Sequence, residues 1–284
     1  MQLPSRQSLL AFLARHLERL VIGCVVAWPL LTLGIVFGER EVMYWPQRWH
    51  MQTPLAAGLK GVSESELITP DGHRLVVWST PPKPGAPTIL YFHGNGEPLA
   101  FRALRIARFQ NEGWGVFMFA YRGFDRSSGA PSEAAIIADA RLAYDSLKAQ
   151  GLAARDIVLF GESLGANVAL QVAMSRDALC IVLDAPFTSM VETWKQFAWF
   201  LPVESLLKDR YDSLRIVGRL RLPLLVLHGA KDPLIGVRLG RTLYAAAPEP
   251  KRLVVFANGH HTDLLRLGGV EEIRRFLAEL REQK

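Results

Sequence analysis

The chain contains six apolar runs rich in β-branched residues, and segments with helical spacing of apolar residues separate most of them. The runs are TILYFHG, GVFMFAY, IVLFGES, CIVLDAP, LPLLVLHG and RLVVFANG. The helical segments are Leu99–Asn111, Glu133–Ala149, Leu164–Ser175, Gly236–Ala246 and Val270–Arg281. Strands that alternate with helices form a mainly parallel sheet covered on both faces. The sequence therefore predicts an α/β fold, with two further strands around the PDG turn of ESELITPDGHRLVVWST.

In such sheets the chemistry lies just beyond the carboxyl ends of the strands. The run IVLF is followed by Gly161, Glu162, Ser163, Leu164 and Gly165, a G-x-S-x-G pattern that opens a helical segment. A serine on a sharp strand-to-helix turn is held exposed, and the flanking glycines leave room for the crowded backbone. We predict that Ser163 is a nucleophile. An ordinary strand-to-helix turn is the alternative.

A glycine-rich turn, HGNG, follows the run TILYF. The backbone N–H of Asn95 in this turn is predicted to stabilise an oxyanion together with the N–H of Leu164, which lies at a helix N-terminus. His93 in the same turn is predicted to be a structural hydrogen-bonding residue and not a catalyst.

An acid and a base also follow predicted strands. Asp232 comes after LPLLVLHG, and Asp184, which ends CIVLD, is the alternative acid. His260 and His261 follow RLVVFANG. The order Ser, Asp, His, with each residue just past a strand, is the order found in α/β-hydrolases. The residues alone do not decide between the two histidines.

The stretch of residues 20–38, LVIGCVVAWPLLTLGIVFG, carries no charge and has charged residues on both sides. Nineteen helical residues span close to the roughly 30 Å hydrocarbon core of a bilayer, and a membrane helix tolerates Pro29. We predict a single-pass membrane anchor, with a buried core helix as the alternative. A cleaved signal peptide would need an A-x-A-like site after this stretch, and none follows it. A lipoprotein signal around Cys24 would need apolar residues where Glu18 and Arg19 stand.

The charges that flank this stretch predict its orientation. Arg6, Arg15 and Arg19 precede it, and Arg40 and Arg48 follow it. The positive-inside rule therefore favours a cytoplasmic N-terminus and a catalytic domain on the extracytoplasmic side.

Beyond these motifs, the chain from about Tyr44 onward resembles the α/β-hydrolase superfamily, and within it the membrane-anchored ABHD and serine-aminopeptidase-like group. The resemblance rests on MYWP, PDG, HGNGE, FAYRGFDRSSGAPSE, GESLGA, DAPFTS, LPVESLLKDRYDS, LHGAKDPLI and APEPKR. It implies the α/β-hydrolase fold and a serine nucleophile that cleaves esters, thioesters or, less often, amides. This group usually has glycine where His260 stands, so its register implies that His261 is the catalytic histidine.

The expected organisation is an N-terminal segment with the anchor, residues 1–42, and a hydrolase domain, residues 43–284. Ser189 to Leu222 is long for a connection between strands and is rich in aromatic residues. We expect it to form a short cap that lines an acyl pocket near the membrane. The alternative is that its aromatic side chains only pack the cap onto the sheet.

The expected partners are an ester or thioester substrate with an apolar acyl chain, and membrane lipid. The net charge of +6 comes from scattered residues without an aromatic-interleaved basic patch, so no nucleic-acid partner is expected. No metal or cofactor is expected, since no clustered Cys and His spacing occurs and the proposed chemistry needs none. The alternative functions are a non-catalytic binding module on the same scaffold and a peptidase or amidase.

Overall fold

A computed structural model describes residues 6–45 and 51–282 of the chain. Eight strands form one sheet in the order β1-β2-β4-β3-β5-β6-β7-β8. The strands are β1 (Ser63–Ile68), β2 (Arg74–Thr80), β3 (Thr88–Phe92), β4 (Gly115–Phe119), β5 (Ile157–Glu162), β6 (Cys180–Asp184), β7 (Leu224–Gly229) and β8 (Lys251–Phe256). β2 pairs antiparallel with β1 and with β4, and every other pairing in the sheet is parallel. The predicted mainly parallel sheet is confirmed.

The helices of the structure include the five that the apolar spacing predicts between and after the strands. They are α1 (Arg6–Tyr44), α2 (Ala103–Asn111), α3 (Glu133–Ala149), α4 (Leu164–Ala173), α5 (Met190–Lys195), α6 (Val203–Leu206), α7 (Ser213–Val217), α8 (Val237–Ala246) and α9 (Val270–Glu282). Short 3-10 turns occupy Leu99–Arg102 and Ala154–Asp156, and one π-helical turn occupies Leu265–Gly269.

The central strands β3 to β7 are buried at every residue. A strand whose successive side chains point to opposite faces is buried throughout only if both faces of the sheet are covered. The carboxyl ends of these strands therefore converge at one edge of a closed core, and the loops at that edge carry the candidate site residues.

Three short helices, α5, α6 and α7, occupy the long connection between β6 and β7. This is the segment that the sequence predicts to be a cap. Ser189 begins α5 as an N-cap, because its hydroxyl accepts the backbone N–H of Glu192 at 3.1 Å.

Helix α1 is longer than the predicted anchor and has a kink at Gly38, where φ is −114° and ψ is 19°. Its candidate membrane-spanning stretch is Phe12–Gly34, against the predicted residues 20–38, and none of that stretch is buried within the protein. Arg48, one of the charges used to predict the orientation, lies outside the described residues.

The end of α1 packs into the domain. The carboxylate of Glu39, 3% exposed, accepts the backbone N–H groups of Lys208 and Asp209 at 2.8 and 2.9 Å. The carboxylate of Asp209 in turn binds Arg40 at 3.0 Å and the Tyr44 hydroxyl at 2.8 Å. The last turn of the helix is therefore fixed to the cap connection and is not a free tether.

Candidate active site

The backbone at Ser163 has the geometry that the G-x-S-x-G pattern predicts. Ser163 joins β5 to α4 with φ +54° and ψ −115°. A Cβ on Gly165 would lie 2.0 Å from the carbonyl oxygen of Phe92, and one on Gly161 would lie 2.3 Å from the carbonyl oxygen of Gly165. Glycine is required at Gly165 because the turn passes so close to the end of β3, and at Gly161 because the first turn of α4 lies directly against β5.

The structure brings Ser163, His261 and Asp232 together. The Ser163 hydroxyl lies 3.0 Å from Nε2 of His261, and Nδ1 of the same ring lies 2.7 Å from Oδ2 of Asp232. The other carboxylate oxygen of Asp232 accepts the backbone N–H groups of Leu234 and Ile235 at 2.8 and 2.9 Å. The carboxylate is thereby held with Oδ2 directed at the imidazole.

Electrostatics at this pair favour a charged imidazole beside a carboxylate. Burial lowers the pKa of His261, but the hydrogen bond and the negative charge of Asp232 outweigh it, so the pKa is raised above the ordinary 6.5. Burial raises the pKa of Asp232, and the contact with His261 outweighs it, so this pKa is lowered. Asp232 is therefore the more acidic of the two groups, and its carboxylate stabilises the charged form of His261.

The neighbouring His260 points away from this group. Its side chain is 59% exposed and Nδ1 lies 3.6 Å from the Asp263 carboxylate, which also accepts the His260 backbone N–H at 2.8 Å. His260 has a negative φ, so a side chain at this position causes no left-handed strain.

The alternative acid, Asp184, has a different partner. Its carboxylate is fully buried and accepts a hydrogen bond from the Arg105 guanidinium at 2.7 Å. Burial raises its pKa to about 6, although Arg105 opposes the shift. The carboxylate that contacts His261 belongs to Asp232.

Asn95 lies beside Ser163 and Leu164 in the wall of one cavity. Its side-chain amide donates a hydrogen bond to the carbonyl of Met43, near the end of α1, and Met43 also lines this cavity. The loop that carries the predicted oxyanion donor is thus held by helix α1. No sequence pattern indicates this contact.

His93 is buried and has structural contacts. Nδ1 donates to the Gly94 carbonyl at 2.7 Å, and Nε2 accepts the Tyr121 backbone N–H at 3.2 Å. Burial lowers its pKa to about 3, so the ring is neutral and both nitrogens are satisfied. The prediction that His93 is structural is confirmed.

The cavity above Ser163 has a volume of about 580 Å³. Its apolar wall is formed by Phe187, Met190, Trp194, Phe197, Ala198, Leu234 and Ile235. The cap aromatic residues thus divide into two groups. Trp194 and Phe197 line the cavity, whereas Trp199 and Phe200 lie outside its lining and are 80% and 48% exposed.

Sequence reasoning missed a buried cluster of charges behind the nucleophile. Arg105 donates to Asp184 and also to the carbonyl of Thr262 at 2.9 Å, next to His261. Arg102 lies 3.5 Å from Glu162, whose pKa is lowered because both arginines outweigh the effect of its burial. The sequence feature that could have indicated this cluster is the position of Arg105, which lies on the apolar face of α2 where an apolar residue is usual.

Sequence comparison finds a matching family and relatives that align over most of the chain. The sequence profile of the family described as serine aminopeptidase, S33, matches residues 84–216. An uncharacterized protein of Mycobacterium tuberculosis is 36% identical over 272 residues, which is 93% of this chain and 96% of the relative. An uncharacterized membrane protein of Saccharomyces cerevisiae is 28% identical, over 92% of this chain and 97% of its own length.

Solved structures share the fold at lower identity. An alpha-beta hydrolase of Vibrio vulnificus has a TM-score of 0.70 at 20% identity, and the match covers 87% of this chain and 92% of that one. The esterase Pf2001 of Pyrococcus furiosus has a TM-score of 0.65 at 21% identity, with 84% and 98% covered.

Proposed function

This chain belongs to the α/β-hydrolase superfamily, and on that premise we propose that it is a membrane-anchored serine hydrolase that cleaves carboxylic esters or thioesters. The observation that carries the proposal is the continuous contact from the Ser163 hydroxyl through His261 to Asp232, with separations of 3.0 and 2.7 Å. Such a contact is what a serine needs in order to act as a nucleophile near neutral pH.

In the proposed reaction Ser163 attacks the carbonyl carbon of the substrate while Nε2 of His261 takes the hydroxyl proton. Asp232 holds the ring in the tautomer that leaves Nε2 free and stabilises the imidazolium that forms. His261 then returns the proton to the leaving alcohol or thiol as the carbon–oxygen or carbon–sulfur bond breaks. Water repeats the sequence on the acyl-enzyme and releases the acid.

The oxyanion in this scheme is stabilised by the backbone N–H groups of Leu164 and Asn95. Leu164 is the first residue of α4, where N–H groups have no partner within the helix. Each such donor is worth on the order of 3 kcal/mol of barrier.

The substrate class is proposed from the cavity wall. Its aromatic and aliphatic side chains suit an apolar acyl chain, and about 580 Å³ is within the usual range for a small-molecule site. The esterases of similar fold, including that of Pyrococcus furiosus, support ester substrates. The serine aminopeptidase description of the matching family favours an amide as the second candidate.

We also propose that α1 crosses a membrane once and that the catalytic domain lies on the extracytoplasmic side. The stretch Phe12–Gly34 would be about 35 Å long at 1.5 Å per residue, and its side chains are unburied. An exposed apolar surface of this extent has to be shielded from water. The yeast relative, which is named a membrane protein, supports membrane lipid as the shielding partner. In organisation, residues 1–42 are proposed to carry the anchor, residues 43–284 to form the hydrolase domain and residues 189–222 to form its cap.

The test of the function is covalent labelling of the full chain in detergent with an alkyl fluorophosphonate, together with ester hydrolysis. Ser163→Ala should lose labelling and several orders of magnitude of kcat. Ser175→Ala, beyond the far end of α4, is the matched control and should retain both. A Ser163→Ala protein that keeps more than a few per cent of the activity would refute the assignment, and a folded wild-type protein without labelling or hydrolysis would favour a binding module. Parallel assays with p-nitrophenyl esters, acyl-CoAs and aminoacyl anilides separate ester, thioester and amide cleavage.

A further inference from the structure

A turn in the cap exposes a cluster of aromatic side chains. This turn, residues 197–201, joins α5 to α6 and is here called the aromatic turn. Phe197, Trp199 and Phe200 expose 59%, 80% and 48% of their surface, and the rings of the last two pack edge to face with centroids 5.9 Å apart. Large aromatic residues exposed together mark a surface that contacts another phase or molecule.

The aromatic turn contacts the anchor helix within its candidate membrane stretch. The indole N–H of Trp28 donates to the carbonyl of Phe200 at 3.0 Å. Trp28 is six residues before Gly34, the end of that stretch, which corresponds to about 9 Å along a helix. The aromatic turn therefore lies alongside the apolar stretch and not beyond its end.

The position of the turn relative to α1 is fixed by a second contact. Glu39, Arg40 and Tyr44 bind the chain at residues 208–209, which follows α6. Helix α1 thus contacts the cap at Trp28 and again at residues 39–44, which fixes the orientation of the cap relative to the helix. A bilayer around Phe12–Gly34 would therefore also surround the side chains of Trp199 and Phe200.

We propose that the aromatic turn is inserted into the same bilayer that α1 crosses, and that the acyl cavity receives its substrate laterally from the lipid. Phe197 belongs both to the wall of the cavity and to the exposed face of the aromatic turn, since it lines the cavity and is more than half exposed. Tryptophan and other aromatic side chains are favoured where a membrane meets water. The substrate part of the proposal rests on the proposed function and specifies it as hydrolysis of a membrane-resident acyl ester.

The first experiment measures the membrane contact without using activity. The full chain is reconstituted into phosphatidylcholine vesicles whose acyl chains are brominated, and quenching of tryptophan fluorescence is compared with unbrominated vesicles. Trp199→Phe should remove a measurable part of the quenching, whereas Trp114→Phe, at a site only 6% exposed, should remove none. Equal quenching in wild type and Trp199→Phe overturns the proposal. A dimer in detergent that Trp199→Ser abolishes, with no quenching at Trp199, would assign the turn to a contact between copies and also overturns it.

The second experiment measures the route of the substrate. The double variant Trp199→Ser, Phe200→Ser is assayed with a long-chain ester in vesicles and with a water-soluble acetyl ester. We expect KM for the vesicle-borne ester to rise about tenfold, with hydrolysis of the soluble ester unchanged within about twofold. Ile68→Ser, on the outer strand β1 with Ile68 55% exposed, should change neither value. Equal losses on both substrates overturn the lateral route.

The two proposals fail in different ways. If wild-type protein hydrolyses neither ester and Ser163 is not labelled by a fluorophosphonate, the proposed function is wrong, and the quenching comparison still decides whether the aromatic turn enters the bilayer. If labelling and soluble-ester hydrolysis are normal but Trp199 is not quenched, the membrane contact is wrong and the proposed function stands.

Discussion

Replacing Arg105 by methionine should destabilise the protein in a strongly pH-dependent way. Asp184 is fully buried, and its pKa of about 6 lies above the value of about 3.9 for an unfolded chain even with Arg105 beside it. The folded state thus binds more protons between these values, and stability falls as the pH rises through them. Without Arg105 the folded-state pKa should rise further, and this loss of stability should continue to higher pH.

The magnitude follows from the two pKa values. At pH 5 Asp184 is mostly protonated in the folded wild type and in folded Arg105→Met. Its contribution to the difference in unfolding free energy between the two proteins is therefore near zero. If Arg105→Met holds the group protonated up to pH 8, the difference grows by about 1.4 kcal/mol per unit above pH 6, to about 1.4 kcal/mol at pH 7 and about 2.7 kcal/mol at pH 8. Loss of the bond to the Thr262 carbonyl adds about 1–3 kcal/mol that does not depend on pH.

The assay is urea unfolding of the full chain in detergent at pH 5, 7 and 8. Arg108→Met, one turn further along α2, is the matched control and should show a small difference that does not vary with pH. In an Asp184→Asn background the pH dependence of Arg105→Met should shrink to the part that comes from Glu162, whose pKa Arg105 also lowers. An unfolding free energy that falls equally at pH 5 and pH 8, or a pH dependence that is undiminished in the Asp184→Asn background, would refute the reasoning.

Three further predictions concern the histidines and the end of α1. His261→Ala should lose several orders of magnitude of ester hydrolysis while His260→Ala keeps a substantial fraction, and equal mild losses in the two variants would argue against the proposed triad. Since His261 must be neutral to accept a proton and its pKa is raised, kcat/KM should increase with pH through a midpoint above 6.5, and a midpoint at or below 6.5 would contradict this. Glu39→Gln removes the negative charge that accepts two backbone N–H groups, and it should lower the free energy of unfolding by about 1–3 kcal/mol. The control Glu41→Gln, at an exposed position, should lower it by less than about 0.5 kcal/mol. Equal shifts of the urea midpoint in the two variants would contradict the buried role of Glu39.

The sheet could be predicted from the sequence because buried central strands must be apolar without interruption. Each of the eight expected strands lies within one or a few residues of its predicted bounds. The same logic located Ser163, the two candidate acids and the pair of histidines, since each lies at or just past the end of a strand and the ends of parallel strands share one edge. The choice of His261 over His260 came from the register of the family that the chain resembles.

The choice between the two acids depended on a contact that spacing does not reveal. Both Asp184 and Asp232 follow a buried strand, and which of them remains available for His261 depends on Arg105, which lies 79 positions before Asp184. Likewise, the docking of Glu39 on residues 208–209 joins segments 169 and 170 positions apart. A local pattern such as an uncharged stretch predicts a helix, but it does not predict that the helix end is part of a distant core.

The proposed catalytic groups are carried by two parts of the sheet that β6 separates. Ser163 follows a central strand, whereas Asp232 and His261 follow β7 and the half-buried edge strand β8. The two outer loops are joined by the backbone, since the N–H of Lys231 donates to the Gly259 carbonyl at 2.9 Å. We therefore expect acid and base to move together when the sheet edge fluctuates, so that the distance from serine to histidine changes most. On heating, hydrolysis should fade before the central strands unfold, so that the midpoint of thermal inactivation lies below that of global unfolding.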